Sequence, residues 1–538
     1  MRPILFILFI NLFFFTQAFS HAEETHSILD FISPSTSDEI QDWAPVLEKA
    51  LTEIPEGGEI YFPGNRQYVF LSTVSLKRSL SFRFASSAVL LGKNIPALFS
   101  IHSGNWFSFQ GVNNSPLLEV SEKGSVIDLT KLQPDATPDL TVQNLSFRAN
   151  AAIAGSAGKY EESAGSLGNV LIRDCHFQTT WTAIAFNQGS IKSIKISDCL
   201  FEGETWKTIF IACPVQNAVE ISSNQLLDVG RTAIQVGGGK AGMIDDGALD
   251  HVNSVVIQNN QILGGGRKAN ESSSYIHGIL VYGRNVSIQG NVVRDFHRGE
   301  PVTPGKPGHH FLLKDGTWHR GPWLYPDGSP RKRLAGAAIY AKAQFGTIAN
   351  NVCTNSGWRA VIEVKTGGRQ PYFLVTGNMI DGSSLAIDES FGFEADTAKA
   401  VWSNNLIINM PNMAFKSHAG NGTNTFMNNV IIDSKTGFSA YNHPDNPDRT
   451  WLSNNRFINV ETPVLIPNAK GNAIDISLPP LFIPPGGSLP PADESQWGRF
   501  AFFAGKPDHE NQIFVVKKID KEFKWVEFQD VPQHTDVR

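Results

Sequence analysis

Residues 255–262 read VVIQNNQI: a β-branched run, two asparagines, and the start of a second apolar run. The figure returns as VLIRDCHF, IKISDCLF, VSIQGNVV, FLVTGNMI and WLSNNRFI. Its centre is Asn or Asp, two residues, then usually Phe, Ile or Leu. Eleven copies begin at Asn144, Asp174, Asp198, Asn224, Asn260, Asn291, Asn351, Asn378, Asn405, Asn429 and Asn455. Most intervals are 24 to 31 residues, with one of 36 and one of 60. A repeat of this length marks a solenoid, whose units bury their apolar faces only on each other. The units show no helical periodicity and carry Gly and Asn at their turns. The expected fold is therefore all-β, a right-handed parallel β-helix from about residue 60 to 470. Asn224 through Asn455 are expected to form an amide ladder in a turn, not a catalytic set.

A β-helix displays its outward side chains in columns, so a groove can be sought by aligning strands. Each unit has a further strand after its Asn phrase: TAIAFN, KTIFIA, TAIQVG, HGILVYGR, AAIYAKAQ, AVIEVKTGGR, FGFEADTA, MAFKSHAG and TGFSAYNH. Side chains alternate between faces. The inward set is Ile184, Ile209, Ile234, Ile279, Ile339, Ile362, Phe393, Phe415 and Phe438. One outward column runs Ala185, Phe210, Gln235, Leu280, Tyr340, Glu363, Glu394, Lys416, Ser439. The next runs Asn187, Ala212, Gly237, Tyr282, Lys342, Lys365, Asp396, His418, Tyr441. The early members are bland; from Tyr282 onward nearly every one is ionisable or phenolic.

Neighbouring strands lie about 4.8 Å apart and i, i+2 residues about 6.6 Å apart. Tyr340, Lys342, Glu363, Lys365, Glu394, Asp396, Lys416 and His418 therefore fall in one patch, expected as an open groove walled by an insertion. Glu363 beside Glu394, and Lys342 beside Lys365, repel, which a purely structural ladder avoids. Such clusters separate pKa values for acid–base work or hold a metal. Lys365, Tyr340, Glu394, Asp396, His418 and Lys342 are the candidate catalytic residues. Glu363, Glu394 and Asp396 are candidate Ca²⁺ ligands. Arg369, Lys416, Tyr282, Tyr441, His443, Trp318 and Trp323 are candidate substrate contacts.

With 18% charged residues, a net charge of -6 and a pI near 6.2, the chain lacks the basic character of a nucleic-acid binder. Residues 1–20, MRPILFILFINLFFFTQAFS, read as a secretory signal: Arg2, an apolar run from Ile4 to Phe15, and Ala18-Phe19-Ser20 as a small-x-small cleavage site. The protein is expected to be secreted or periplasmic, free of membrane, and a monomer sooner than an oligomer. Four cysteines in 538 residues make no disulfide scaffold. Cys175 and Cys199 hold equivalent places and are expected to stack as buried thiols. Residues 300–335, with His309, His310, Trp318, His319, Trp323 and Tyr325, interrupt the repeat, as loops on a binding face do. After residue 476 a Pro/Gly-rich stretch with no room for regular pairing leads to two or three expected antiparallel strands.

Ser37 to Ile54 carries apolar residues on one helical face, capped at Ser37 or Asp38. The segment EGGEIYFPGNRQYVFLSTVSL follows. Helix and segment together resemble the N-terminal end of the pectate-lyase-like superfamily of β-helix proteins. The resemblance covers roughly residues 28–470 and implies a helix over the open end of the solenoid. The β-helix is expected over 28–475, and 476–538 as a Pro-rich linker and β segment that either caps the C-terminal end or forms a small accessory unit. That superfamily holds lyases, hydrolases, epimerases and tailspikes, so activity must come from the site. Three lysines beside three carboxylates suit an anionic glycan and resemble the sites of β-helix alginate and chondroitin lyases, without their Glu-x-Glu and Arg-His pattern. Glu394-Ala395-Asp396 is similar to the Glu-x-Asp of iota-carrageenases, which implies an inverting hydrolase as the alternative. The Asp-Pro-His of C5-epimerases is missing. A non-catalytic glycan-binding solenoid would show no localised charge cluster.

Overall fold

The computed structural model describes residues 24–33, 40–112, 115–121, 123–155, 165–203, 205–238, 252–266, 275–296, 310–312, 318–320, 335–356, 360–366, 372–382, 391–396, 399–418, 423–441, 449–465, 474–477, 481–483, 488–489, 491–492, 500–503, 512–519 and 522–527. Among them, 40 strands form one continuous parallel arrangement. It is a right-handed parallel β-helix, as the period implies.

One coil shows why. Ser254–Gln258 carries Val255 and Ile257 inward. Asn259 then takes a left-handed φ of 56°, which turns the chain in two residues. Gln261–Gly265 follows, and a connection leads to Tyr275–Gln289. Each strand pairs with its counterpart one coil away: Ser254–Gln258 with Asn285–Gln289, and Thr232–Val236 with His277–Val281. The inward Ile and Phe set named above is at most 2% exposed throughout. Aromatics stack along the axis: Phe147, Phe177 and Phe201 follow at 4.9 and 4.7 Å, with nearly parallel rings.

The Asn phrase merges two positions. The left-handed turn needs a residue tolerant of positive φ. In the first three copies that residue is the phrase residue itself, Asn144, Asp174 or Asp198. From the fourth onward it is the preceding one, for example Ser223, Asn259, Asn350 or Asn404. The phrase Asn then stands one place later, in the column of Cys175 and Cys199. There Asn224, Asn260, Asn291, Asn351, Asn378, Asn405, Asn429 and Asn455 form the expected ladder. The backbone N–H and side-chain amide of each donate to the Oδ1 of the next, at 2.9 to 3.1 Å. Cys199 N–H donates to Asn224 Oδ1, so the ladder ends on the thiol pair. Both cysteines are buried and unbridged. Burial first, and Cys175 second, push the Cys199 thiol well up.

The N-terminal end departs from expectation in two ways. The helix, α1, spans Ala44–Glu53, not 38–54. Asp42 Oδ1 accepts from Ala44 N–H and Leu71 N–H, and Pro45 lies in the first turn, so Asp42 opens the helix. Residues 34–39 lie outside the described set, and Trp43 N–H donates to Val69 O, tying the segment to the first coils. Trp43, Leu47 and Ala50 are buried, with the Trp43 ring 4.7 Å from Tyr68. The parallel stack also starts earlier than residue 60, because Thr25–Ser27 pairs with Glu59–Tyr61. At the other end Ile474–Ser477 closes the stack on Arg449–Ser453. Phe500–Phe503, Gln512–Ile519 and Glu522–Glu527 form an antiparallel set. Leu481–Ile483 joins that set in parallel, so the Pro-rich stretch does pair at the three residues between its Pro-Pro pairs.

Candidate functional site

The outward columns run over the strands Tyr275–Gln289, Ala335–Ala349, Ala360–Thr366, Phe391–Asp396, Met413–His418 and Thr436–Tyr441. Tyr340 pairs with Glu363 and Lys342 with Lys365. Glu363 pairs with Glu394 and Lys365 with Asp396. Glu394 pairs with Lys416, Asp396 with His418, and His418 with Tyr441. Leu280 and Tyr282 precede Tyr340 and Lys342. The structure thus brings the sequence-derived patch together by strand register. Asp396, His418 and Tyr441 are placed by backbone only; their side chains lie outside the described set, as do Arg369, His443 and Trp323. Trp318 begins a short strand, Trp318–Arg320, antiparallel to His310–Leu312, and its side chain is likewise outside it.

The described members do not form an open groove. Tyr282 and Lys342 are 8% exposed, Tyr340 6%, Glu363 3% and Glu394 0%. The Lys365 side chain keeps 30% of its surface, and Lys416 is half-buried. Pointing out of the solenoid is therefore not the same as reaching solvent, because the side chains pack along their columns. Leu280, Tyr282, Ala337 and Tyr340 form a second apolar cluster outside the main core. The Tyr340 ring lies 5.7 Å from Tyr282 and 5.3 Å from His277. Tyr282 in turn lies over Gly237 and Gly238: a Cβ on Gly237 would stand 2.5 Å from the Tyr282 carbonyl oxygen. Only glycine allows that approach, and both glycines take positive φ.

His277 was not among the expected site residues. It pairs with Thr232 and Ala337, just before a bend where the inward–outward alternation resets. Ala338 next to Ala337 is in the core, so simple alternation misassigns this position. The Ala337 N–H donates to His277 Nδ1 at 3.1 Å, which puts the proton of the neutral ring on Nε2. Burial, then the Arg231 charge, push the imidazole pKa down to about 3, so the ring is neutral at ordinary pH.

Burying carboxylates demands nearby compensation. Lys365 Nζ stands 3.6 Å from Glu363 Oε1, an ion pair that reaches solvent only at its lysine end. Lys416 Nζ lies 4.0 Å above the Phe391 ring, a cation–π contact on the strand that carries Glu394. Among the described residues no three His, Cys, Asp or Glu side chains converge in a way that would hold a metal ion; the Asp396 side chain is outside that set.

No protein-family model matches the chain, and no curated protein matches it. Solved structures do. A mutant tailspike protein of E. coli bacteriophage HK620 in complex with a pentasaccharide is 11% identical, covering 82% of this chain and 80% of that one, with a TM-score of 0.37. A deletion variant of that tailspike in complex with a hexasaccharide is 10% identical over 83% of this chain, at a TM-score of 0.30, and the chain spans 66% of its length. The catalytic unit of a GH87 α-1,3-glucanase from Streptomyces thermodiastaticus is 11% identical, over 84% and 71% of the two chains, at 0.31. A family 28 exopolygalacturonase of Yersinia enterocolitica is 11% identical, over 85% and 78%, at 0.29. The fold assignment rests on the strand register.

Proposed function

We propose that the protein is an exported enzyme that cuts an anionic, uronate-containing polysaccharide by β-elimination. The observation that carries this is Lys365. It stands in the middle of a buried polar cluster, is paired with a carboxylate that is almost fully covered, and still reaches solvent. Elimination needs a base for the C5 proton, a cationic environment for the substrate carboxylate and an acid for the departing oxygen. In this reading Lys365, in its neutral form, takes the C5 proton. The C4–O bond then breaks, and the electron pair left on carbon becomes the C4–C5 double bond. Tyr340, one strand before Glu363 and held by Tyr282 and His277, donates the proton to the leaving oxygen. Lys342 and Lys416 supply positive charge around the substrate carboxylate. If Ca²⁺ takes part, Glu363, Glu394 and Asp396 are the residues that would hold it, and it would add to that neutralisation.

The alternative is an inverting hydrolase with Glu394 as acid and Asp396 as base. A general acid must touch the glycosidic oxygen. Both candidate acids are covered, Glu394 at 0% and Tyr340 at 6% exposure, so the base decides: the Lys365 side chain keeps 30% of its surface, which favours Lys365. The signal-like residues 1–20 suit an enzyme whose polymeric substrate lies outside the cell. The test is Lys365→Ala and Glu394→Gln made separately. Lyase activity should fall by about 10²- to 10⁴-fold in Lys365→Ala. Full activity in Lys365→Ala, with loss in Glu394→Gln and no unsaturated product, would overturn the assignment.

A further inference from the structure

Four coil positions towards the N-terminus from Lys365 lies a second group of side chains, on the same face. Trp206 N–H donates to Trp181 O, and Thr232 N–H donates to Trp206 O, so Trp181, Trp206 and Arg231 occupy one position in three consecutive coils. Lys207 and Phe210 belong to the middle coil, with Lys207 in register with Thr182 and Thr232. All five side chains are half-buried. The Arg231 guanidinium lies 4.2 Å from the Trp206 ring centre, and the Lys207 ammonium 3.6 Å from that of Phe210. Two aromatic faces thus hold two cations beside each other on the outer wall.

Lys207 is the telling member. Among the described residues no carboxylate pairs with it; its contacts are an aromatic ring and a neighbouring cation. Burial, then Arg231, lower its pKa to about 8, and the Arg231 group is itself lowered to about 10 by burial. A half-buried ammonium whose described neighbours hold no carboxylate is a cost that an anionic ligand at Lys207 would offset. The two half-exposed indoles supply the flat apolar surface against which a sugar ring packs.

We propose that Trp181, Trp206, Lys207 and Arg231 form a separate binding subsite for an acidic sugar unit, its ring against the indoles and its carboxylate or sulfate at Lys207. Four strand spacings separate the Lys207 and Lys365 coils, about 19 Å. A single extended glycan can therefore engage both places, several sugar units apart. The assignment of one chain to both places rests on the proposed function; the binding itself does not.

The experiment is titration of the full-length protein with oligogalacturonate and, separately, with a neutral cello-oligosaccharide, followed by tryptophan fluorescence and calorimetry. Wild type, Lys207→Met and Lys207→Arg are compared after their melting curves have been matched. The acidic oligosaccharide should bind wild type and Lys207→Arg alike. Lys207→Met should bind about tenfold more weakly or worse, and the neutral sugar should not bind. Equal binding by Lys207→Met, equal binding of the neutral sugar, or no binding by wild type overturns the subsite. Binding at Lys207 by a wild type that leaves acidic polymers uncut would keep the subsite and refute the lyase. Cutting with an unchanged KM in Lys207→Met would do the reverse.

Discussion

At the scale of single residues, His277 has the clearest measurable consequence. Its folded pKa of about 3 lies below the ordinary imidazole value of 6.5. As pH falls through 6.5 the unfolded chain takes up a proton that the folded chain refuses, so unfolding is favoured. The group's contribution is full above about pH 6.5 and is lost progressively down to about pH 3, a change on the order of a few kcal/mol. Urea denaturation at pH 7 and pH 5 should show lower stability at pH 5, and His277→Gln should flatten that dependence. A dependence unchanged in His277→Gln would contradict the burial. Tyr340→Phe keeps the ring contacts with Tyr282 and His277 while removing the hydroxyl. It should keep the folded far-ultraviolet spectrum and reduce turnover by about 10²-fold or more. His277 and the Trp206–Lys207–Arg231 group escaped the sequence reading for one reason. They lie before the bend where alternation restarts, so columns counted from the central isoleucines pass them by.

At the scale of elements, the strands that carry the site were legible because each contains an Ile or Phe that must face inward. That residue fixes the faces of its neighbours. Glu363 beside Glu394 follows from Ile362 beside Phe393. What alternation could not convey is depth. Whether an outward side chain is exposed depends on what packs over it, and Tyr282, Tyr340 and Glu394 are covered. The helix start was misplaced because Ile40 and Trp43 continue the apolar stripe, while Asp42 and Pro45 open the helix only at Ala44. The turn ladder yields a prediction of its own. Asn291 gives both its backbone N–H and its side-chain amide to Asn351 Oδ1, and Asn351 gives its amide to Ile288 O and Asn378 Oδ1. Asn351→Ala strands these buried groups and should cost about 3 kcal/mol in chemical denaturation. Asn404→Gly, at a φ of 56°, suits the left-handed turn and should change stability by about 0.5 kcal/mol or less. Equal losses in the two would refute the division of the phrase into a turn position and a ladder position.

At the scale of the whole molecule, a solenoid turns local repetition into a long surface on which chemistry can be laid out coil by coil. The coils from Lys207 to Arg231 offer aromatic and cationic side chains, and those from Tyr340 to Lys416 a charged cluster, on one face of one β-helix. For the proposed enzyme, this order would put binding along the chain and bond cleavage at one place. The most direct measurement is incubation with alginate, pectate, chondroitin and carrageenan, following ultraviolet absorbance and reducing ends together. The account predicts that, with at least one of the uronate polymers, absorbance from an unsaturated uronate rises in step with new reducing ends. Reducing ends appearing without absorbance would contradict it.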